Sequence, residues 1–374
     1  MKVGISLSGG GVRATVFHLG MLSRLANGPR WGDISFLSTV SGGSLCAALI
    51  FQKAGKRWPD AKQYQEVLPH IRTLLTTCNL QRAYMLKMLL NPWLLPRGRA
   101  SIIARLLKSK WGIDADLQDL PLHPRMVINA TCYETGKSWR FCAKRMGDYL
   151  ANYVVNPSFP LADAAAASAA VPGLIGPLRL ATTKYAWLKY AKGFGEETGG
   201  EPSVPVDPIA PKLTLWDGGV YDNLGSEAIF KPGRGLRKEV DFYIVSDASR
   251  PLGLEFKRFQ WGLPQYIPPF RLIDVATDQV RSIRARAIVD HFNQKKNGAF
   301  FRMGNTADAI WSMARVQPPA GTDKPLLMSK EDVAAAAGTE TTLRRLTPNE
   351  YDRLFRHGYE VADVTLAAYG CQGF

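Results

Sequence analysis

The sequence predicts an α/β fold in which a mainly parallel central sheet carries helices on its faces. Two observations at the amino terminus predict it. Two strand-turn-helix units follow each other directly, and each turn is built from glycine and serine. Strand, helix, strand is the unit that generates parallel sheets with covered faces. The chain of 374 residues is 46% hydrophobic and 21% charged, enough apolar material for a large core around such a sheet.

Residues 2–8 alternate as a short strand, Gly9-Gly10-Gly11 forms a tight loop, and residues 12–25 place Val12, Val16, Leu19, Leu22 and Leu25 on one helical side. Residues 34–40 repeat the strand, Ser41-Gly42-Gly43 turns the chain, and residues 44–53 form a compact helix rich in Ala and Leu. Asp33 and Lys53 bracket an uncharged run, but its Ser, Thr and Gly content fits a buried strand and helix, so no membrane span is predicted. A helical insertion is expected over about 60–120. Within it residues 84–111 mix Met85, Leu86, Met88, Leu89, Leu90, Trp93, Leu94 and Leu95 with Lys87, Arg97, Arg99, Arg105, Lys108 and Lys110. Such a basic amphipathic stretch suits a lid-like segment meeting lipid, and equally a flap packed on the core with its charges in water.

Residues 125–131 and 138–142 flank a Glu134-Thr135-Gly136-Lys137 turn and predict a hairpin. Alanine-dense residues 161–170 predict a helix stopped at Val171-Pro172-Gly173, and residues 192–212 an irregular insertion. Residues 238–246 form a buried strand and residues 272–291 a long basic helix. Thr347-Pro348-Asn349-Glu350 is a capping box with proline at the first helical position, starting a helix that runs to about Ala367. The expected organisation is a single domain over 1–374 with the two insertions.

Lys and Arg number 47 against 32 Asp and Glu, a net charge of +15 that suits an anionic partner: nucleic acid, an acidic ligand or an anionic membrane surface. Arg281, Arg284 and Arg286 on the long helix are the residues a nucleic-acid-binding module would use, although no recognition motif accompanies them. The five cysteines show no metal-ligand spacing, so no metal site is predicted and free thiols in a reducing compartment are expected. No secretory signal opens the chain, which makes the cytoplasm the expected location, with peripheral membrane contact.

Ser41 stands where a strand turns sharply into a helix, the geometry that exposes a nucleophilic hydroxyl; a plain helix-capping turn has the same composition. Gly9-Gly10-Gly11 lets backbone N–H groups converge at a helix N-terminus, as an oxyanion hole requires. The spacings of dinucleotide and P-loop phosphate sites are absent there, and a structural turn is the remaining alternative. Asp217 precedes Gly218-Gly219 at the end of an apolar run, a pattern that ordinary Asp-Gly turns share. None of His18, His70, His123, His291 and His357 lies in a catalytic motif, so Ser41 would need a base other than imidazole.

In order, Ser8-Gly9-Gly10-Gly11-Val12-Arg13, Val40-Ser41-Gly42-Gly43, Ala167-Ser168-Ala169-Ala170-Val171-Pro172 and Asp217-Gly218-Gly219 resemble the blocks of the patatin-like phospholipase family. Asn129-Ala130-Thr131 resembles its strand-and-turn, and the matches span roughly residues 3–225. The resemblance implies a three-layer α/β/α patatin-like fold and a lipid acyl hydrolase of phospholipase A or lysophospholipase type, without cofactor or metal. It implies Ser41 as nucleophile, Asp217 as base, and an oxyanion hole at Gly9, Gly10, Gly11 and Val12. Arg13, Gly42, Gly43, Gly218 and Gly219 support them, Arg13 by bracing the loop or facing a lipid phosphate. Phospholipid or lysophospholipid is the implied substrate. Ala14 and Thr39 occupy positions where many relatives carry glycine, and a Thr39 side chain that crowded the turn would leave a weak or inactive scaffold.

Overall fold

The computed structural model describes residues 1–90, 99–190, 203–250, 269–318, 327–371 and 373–374. The amino-terminal half runs β1 (Val3–Leu7), α1 (Gly11–Ala26), β2 (Ile34–Val40), α2 (Gly42–Lys53), α3 (Ala61–Thr77), α4 (Leu80–Leu90) and α5 (Ala100–Leu106). A meander follows: β3 (Arg125–Cys132), β4 (Lys137–Cys142), β5 (Arg145–Asp148) and β6 (Asn152–Val155). Then come α6 (Leu161–Ser168), β7 (Leu178–Ala181), β8 (Trp187–Tyr190), β9 (Ser203–Val206), β10 (Lys212–Asp217) and the one-turn α7 (Gly219–Asp222). The remainder comprises β11 (Phe230–Lys231), β12 (Gly235–Leu236), β13 (Phe242–Asp247), α8 (Pro269–Lys295), β14 (Gly298–Arg302), α9 (Ala307–Ala314), α10 (Lys330–Gly338) and α11 (Pro348–Ala368).

The main sheet has the order β14-β13-β1-β2-β3-β4-β5-β6-β8-β9, with β10 on β3 and β7 on β10. From β14 to β3 every pairing is parallel; from β3 to β9 the pairings are antiparallel. Every residue of β1 is buried, as a central parallel strand covered on both faces requires. Alternation along β13 shows the two covers: Phe242 and Ile244 join the core under α1, α2 and α11, while Tyr243 and Val245 join Ile288 and Phe292 of α8. The three layers expected of the chain are therefore present.

The periodicity-derived elements recur with small shifts, and α11 starts at its capping box, Thr347 and Glu350 each bonding the other's backbone N–H. Of the basic amphipathic stretch, residues 91–98 with Trp93, Leu94 and Leu95 lie outside the described residues, as does 192–202 of the expected irregular segment. Ser203–Val206 of that segment pairs with β8. None of the five cysteines pairs with another. Among the described residues no helix is long and apolar enough to cross a membrane.

Helices α1 and α11 touch backbone to backbone. A Cβ on Gly20 would collide with the Phe355 carbonyl, and one on Gly358 with the Phe17 carbonyl. Gly358→Ala is therefore expected to destabilise the protein by about 1–3 kcal/mol, the usual range for overpacking. Urea unfolding checks this; an unchanged midpoint would mean the helices separate without penalty.

Candidate active site

The sheet itself brings Ser41 and Asp217 together. Val40 at the end of β2 pairs with Asn129 of β3, and Asp217 at the end of β10 pairs with Ala130, the next residue of β3. Strand β4 occupies the other edge of β3 from Ile128 to Cys132. Strands β2 and β10 thus share one edge of β3 and meet end to end, with Ser41 and Asp217 at the junction.

Ser41 is held at φ 50°, ψ −115°, a conformation that a side chain makes costly and that persists only where the surroundings enforce it. Its N–H donates to Ser168 Oγ at 2.9 Å, and its carbonyl accepts from Leu45 N–H at 3.0 Å. Glycines make room for the turn: a Cβ on Gly42 would strike the Gly11 carbonyl, and one on Gly43 the Leu7 carbonyl. Thr15 Oγ1 is bonded to both the Gly42 and Gly11 carbonyls, at 2.9 and 3.2 Å, which ties the elbow to the glycine loop. Thr39 does not crowd the turn. Its side chain is 1% exposed, with Oγ1 2.9 Å from Ser44 Oγ, which lies 2.9 Å from Ser168 Oγ.

The glycine loop follows β1. Gly10 (φ 144°) and Gly11 (φ 61°) both adopt positive φ, which suits glycine. The Gly9 N–H donates to the Asn223 carbonyl, and the Val12 N–H to the Thr342 carbonyl, each at 3.0 Å. The four expected oxyanion donors are therefore not equivalent. Gly9 and Val12 are engaged, while the Gly10 and Gly11 N–H groups donate to no described residue. Arg13 is 1% exposed and braces this loop, donating to the Thr339 carbonyl at 2.8 Å and the Ala248 carbonyl at 3.1 Å. Its burial, with Arg250 nearby, pulls its pKa down to about 10. The alternative expectation, an Arg13 that meets a lipid phosphate, does not fit a guanidinium already enclosed. His18 holds the loop from beneath. Ser8 O, which only accepts, lies 2.9 Å from Nε2, so Nε2 carries the proton and Nδ1 accepts from Ser246 Oγ at 2.8 Å. Burial lowers the His18 pKa to about 4, keeping the ring neutral.

Asp217 is fixed through its backbone: its N–H donates to Ala170 O, and its carbonyl accepts from Thr131 Oγ1. Oδ1 accepts the Gly219 N–H at 2.7 Å, and Oδ2 has no hydrogen-bond partner among the described residues. Burial raises the carboxyl's pKa from 3.8 to about 7, opposed by the Gly219 N–H and then by the Ser41 hydroxyl. The hydroxyl is thus near enough to favour the carboxylate, although no bond of standard geometry joins the pair in this resting arrangement; such contacts commonly tighten when substrate binds. Asn223 closes the shell. A Cβ on Gly9 would stand 3.1 Å from Ser41 Cβ and strike Asn223 Oδ1, and one on Gly219 would stand 2.6 Å from that oxygen and 3.0 Å from Asp217 Oδ1.

The sequence reading assigned no role to Ser168, Asn129, Asn223 or Thr15. Ser168 and Asn129 lie within the family-like blocks and Asn223 next to the Asp-Gly-Gly turn, so motif position was the available signal; Thr15 had none. The structure corrects the view of Arg281 and Arg284 as a free cationic face. Arg281 donates to Asp247 Oδ2 and Asp278 Oδ1, at 2.8 and 2.7 Å, and Arg284 to Glu227 Oε2 at 2.6 Å, with Asp222 at 3.8 Å. These ion pairs anchor α7 and the end of β13 and engage two of the three arginines, while Arg286 is exposed.

The raised Asp217 pKa has a defined effect on stability. Between about pH 4 and 7 the folded carboxyl keeps a proton that the unfolded one has lost, so its contribution becomes less favourable as pH rises and levels off above 7. Asp217→Asn, which retains an acceptor for Gly219, should be more stable than wild type by a margin that widens over this interval. Denaturant unfolding at pH 4, 5.5 and 8 measures it; a constant margin would show that Asp217 titrates normally.

A patatin-like phospholipase family model matches residues 5–228. Among solved structures, human GIVD cytosolic phospholipase A2 is similar at 12% identity and a TM-score of 0.48, over 99% of this chain and 60% of that one. The same human enzyme in complex with methyl gamma-linolenyl fluorophosphonate gives 15% identity and 0.49, over 99% and 59%. VipD from Legionella pneumophila gives 16% identity and 0.41, over 99% and 67%. This chain thus spans about 60% of the length of the human enzyme. No curated protein matches it. With more than half of its length matched by the family model, including Ser41, Asp217 and the glycine loop, the chain belongs to the patatin-like phospholipase family.

Proposed function

We propose that the chain is a serine hydrolase that releases acyl groups from phospholipid or lysophospholipid, with Ser41 as nucleophile and Asp217 as general base. The observation that carries this reading is the junction on β3: a strained, buried serine faces a buried carboxylate beside two uncommitted backbone N–H groups.

In the proposed cycle, Ser41 Oγ attacks the ester carbonyl carbon while its proton passes to Asp217 Oδ2, the carboxylate oxygen without a partner. The carbonyl oxygen gains negative charge and takes the Gly10 and Gly11 N–H groups. Collapse breaks the C–O bond, Asp217 returns the proton to the leaving alkoxide, and the acyl group remains on Ser41. Water then attacks the acyl-Ser41 carbonyl as Asp217 accepts its proton, and expulsion of Ser41 with that proton releases the fatty acid.

The base strength supports this scheme. An aspartate at its ordinary pKa near 3.9 is a poor match for a neutral-pH proton transfer, whereas one raised to about 7 lies close to the optimum for general-base catalysis. An inactive scaffold is disfavoured by Thr39, whose hydroxyl bonds within the elbow. Peripheral contact with an anionic membrane follows from a lipid substrate and a net charge of +15.

Wild type, Ser41→Ala and Asp217→Asn are to be incubated with mixed phospholipid vesicles, and released fatty acids and lysolipids analysed by mass spectrometry. Both variants should lose about 10³-fold or more in rate, and only chains with Ser41 should take a fluorophosphonate label. Wild-type rate should rise through an apparent pKa near 7 as Asp217 ionises. Variants as fast as wild type would overturn the assignment.

A further inference from the structure

We propose that the exposed face of α4 is a docking surface for an anionic lipid bilayer; the choice of a lipid partner rests in part on the acyl-hydrolase reading. Helix α4 buries Leu80 and Tyr84 and leaves Met85, Leu86, Leu89 and Leu90 exposed by 61, 56, 77 and 63%. Residues four apart on a helix are surface neighbours, so these side chains form one contiguous aliphatic patch. Single exposed apolar residues are ordinary, whereas a contiguous group marks a contact surface.

Charge selects the occupant. Residues 67–113, which contain α4, carry eight Lys and Arg and no Asp or Glu. Arg82, Lys87, Arg105, Lys108 and Lys110 are exposed. A second copy of the chain would set this cationic segment against its equal. An anionic bilayer offers headgroups to the cations and an acyl boundary to the aliphatic side chains, the combination that interfacial helices use.

Position adds a third argument. The Gln81 N–H of α4 donates to the Leu343 carbonyl at 3.0 Å, and the adjacent Thr342 carbonyl accepts the Val12 N–H at the start of α1. The Tyr84 hydroxyl donates to the Ile175 carbonyl at 2.9 Å, a few residues beyond Ala170, whose carbonyl accepts the Asp217 N–H. Helix α4 is thus fastened by short connections to both halves of the site.

The test uses the full chain carrying Ser41→Ala, so that lipid is not consumed, and vesicles of phosphatidylcholine alone or with phosphatidylglycerol. Sedimentation should show partition onto the anionic vesicles that weakens with added NaCl. Leu86→Glu with Leu89→Glu should reduce it by about tenfold or more, with the far-UV circular dichroism and unfolding midpoint unchanged. Undiminished partition of the double variant, or no partition of the parent, would overturn the proposal. So would a parent dimer in light scattering that the double variant abolishes, since the patch would then be a self-association face. Fluorophosphonate labelling of the wild type without vesicles is read separately: its failure would remove the catalytic reading and leave a positive partition result standing.

Discussion

The site depends on one strand edge. Strand β3 pairs with β2 up to Asn129 and with β10 from Ala130 onward, so two strands distant in sequence are made collinear by successive residues of a third. The backbone ladder then decides where the turn after Val40 and the turn after Asp217 meet, before any side-chain preference acts. The parallel half of the sheet supplies strand ends followed by helix N-termini, the usual place for ligands in α/β proteins. The antiparallel wing supplies β10, which has to run against β3 to deliver its carboxyl end to that same place.

Burial does two opposed things at this junction. It leaves Asp217 with one backbone donor and one unpartnered oxygen, raising its affinity for a proton toward neutrality. It also makes the folded chain carry a charge that it would hold more readily in water. The positive φ of Ser41 and the enclosed guanidinium of Arg13 are similar concessions, each tolerable only because neighbouring elements over-determine it. The ion pairs of Arg281 and Arg284 contribute to that rigidity. They fasten the α7 turn after Asp217, the segment at Glu227 and the end of β13 to α8, so two of the arginines on that helix serve the interior of the fold.

The central elements were legible because they are regular. β1, α1, β2 and α2 have clear periodicity, and the capping box places the start of α11 at Pro348. The short strands β5 to β9 were not, since four residues carry no usable alternation, and their pairing is decided by neighbours rather than by local preference. At the site, Ser41, Asp217 and the glycines were found through motif order. What order did not reveal is which N–H groups remain available: Gly9 and Val12 donate to Asn223 and Thr342, contacts across more than 200 residues that no local pattern encodes. The Asp217 pKa was hidden for the same reason, because burial is a property of the assembled layers.

Thr39 shows how a departure from a family pattern is absorbed. The Ser168 hydroxyl donates to the Asn129 carbonyl at 2.6 Å, and a carbonyl can only accept, so Ser168 must accept from Ser44. Ser44, its one proton used, must in turn accept from Thr39, whose 3.3 Å contact with the Val127 carbonyl is the weaker claim on the same hydrogen. Direction therefore runs from Thr39 through Ser44 and Ser168 to β3, and the Ser41 N–H joins at Ser168. A glycine at position 39 would leave Ser44 without that donor in a dry interior, where an unmet hydroxyl acceptor is costly. In this chain the threonine belongs to the device that holds the nucleophile in its strained turn.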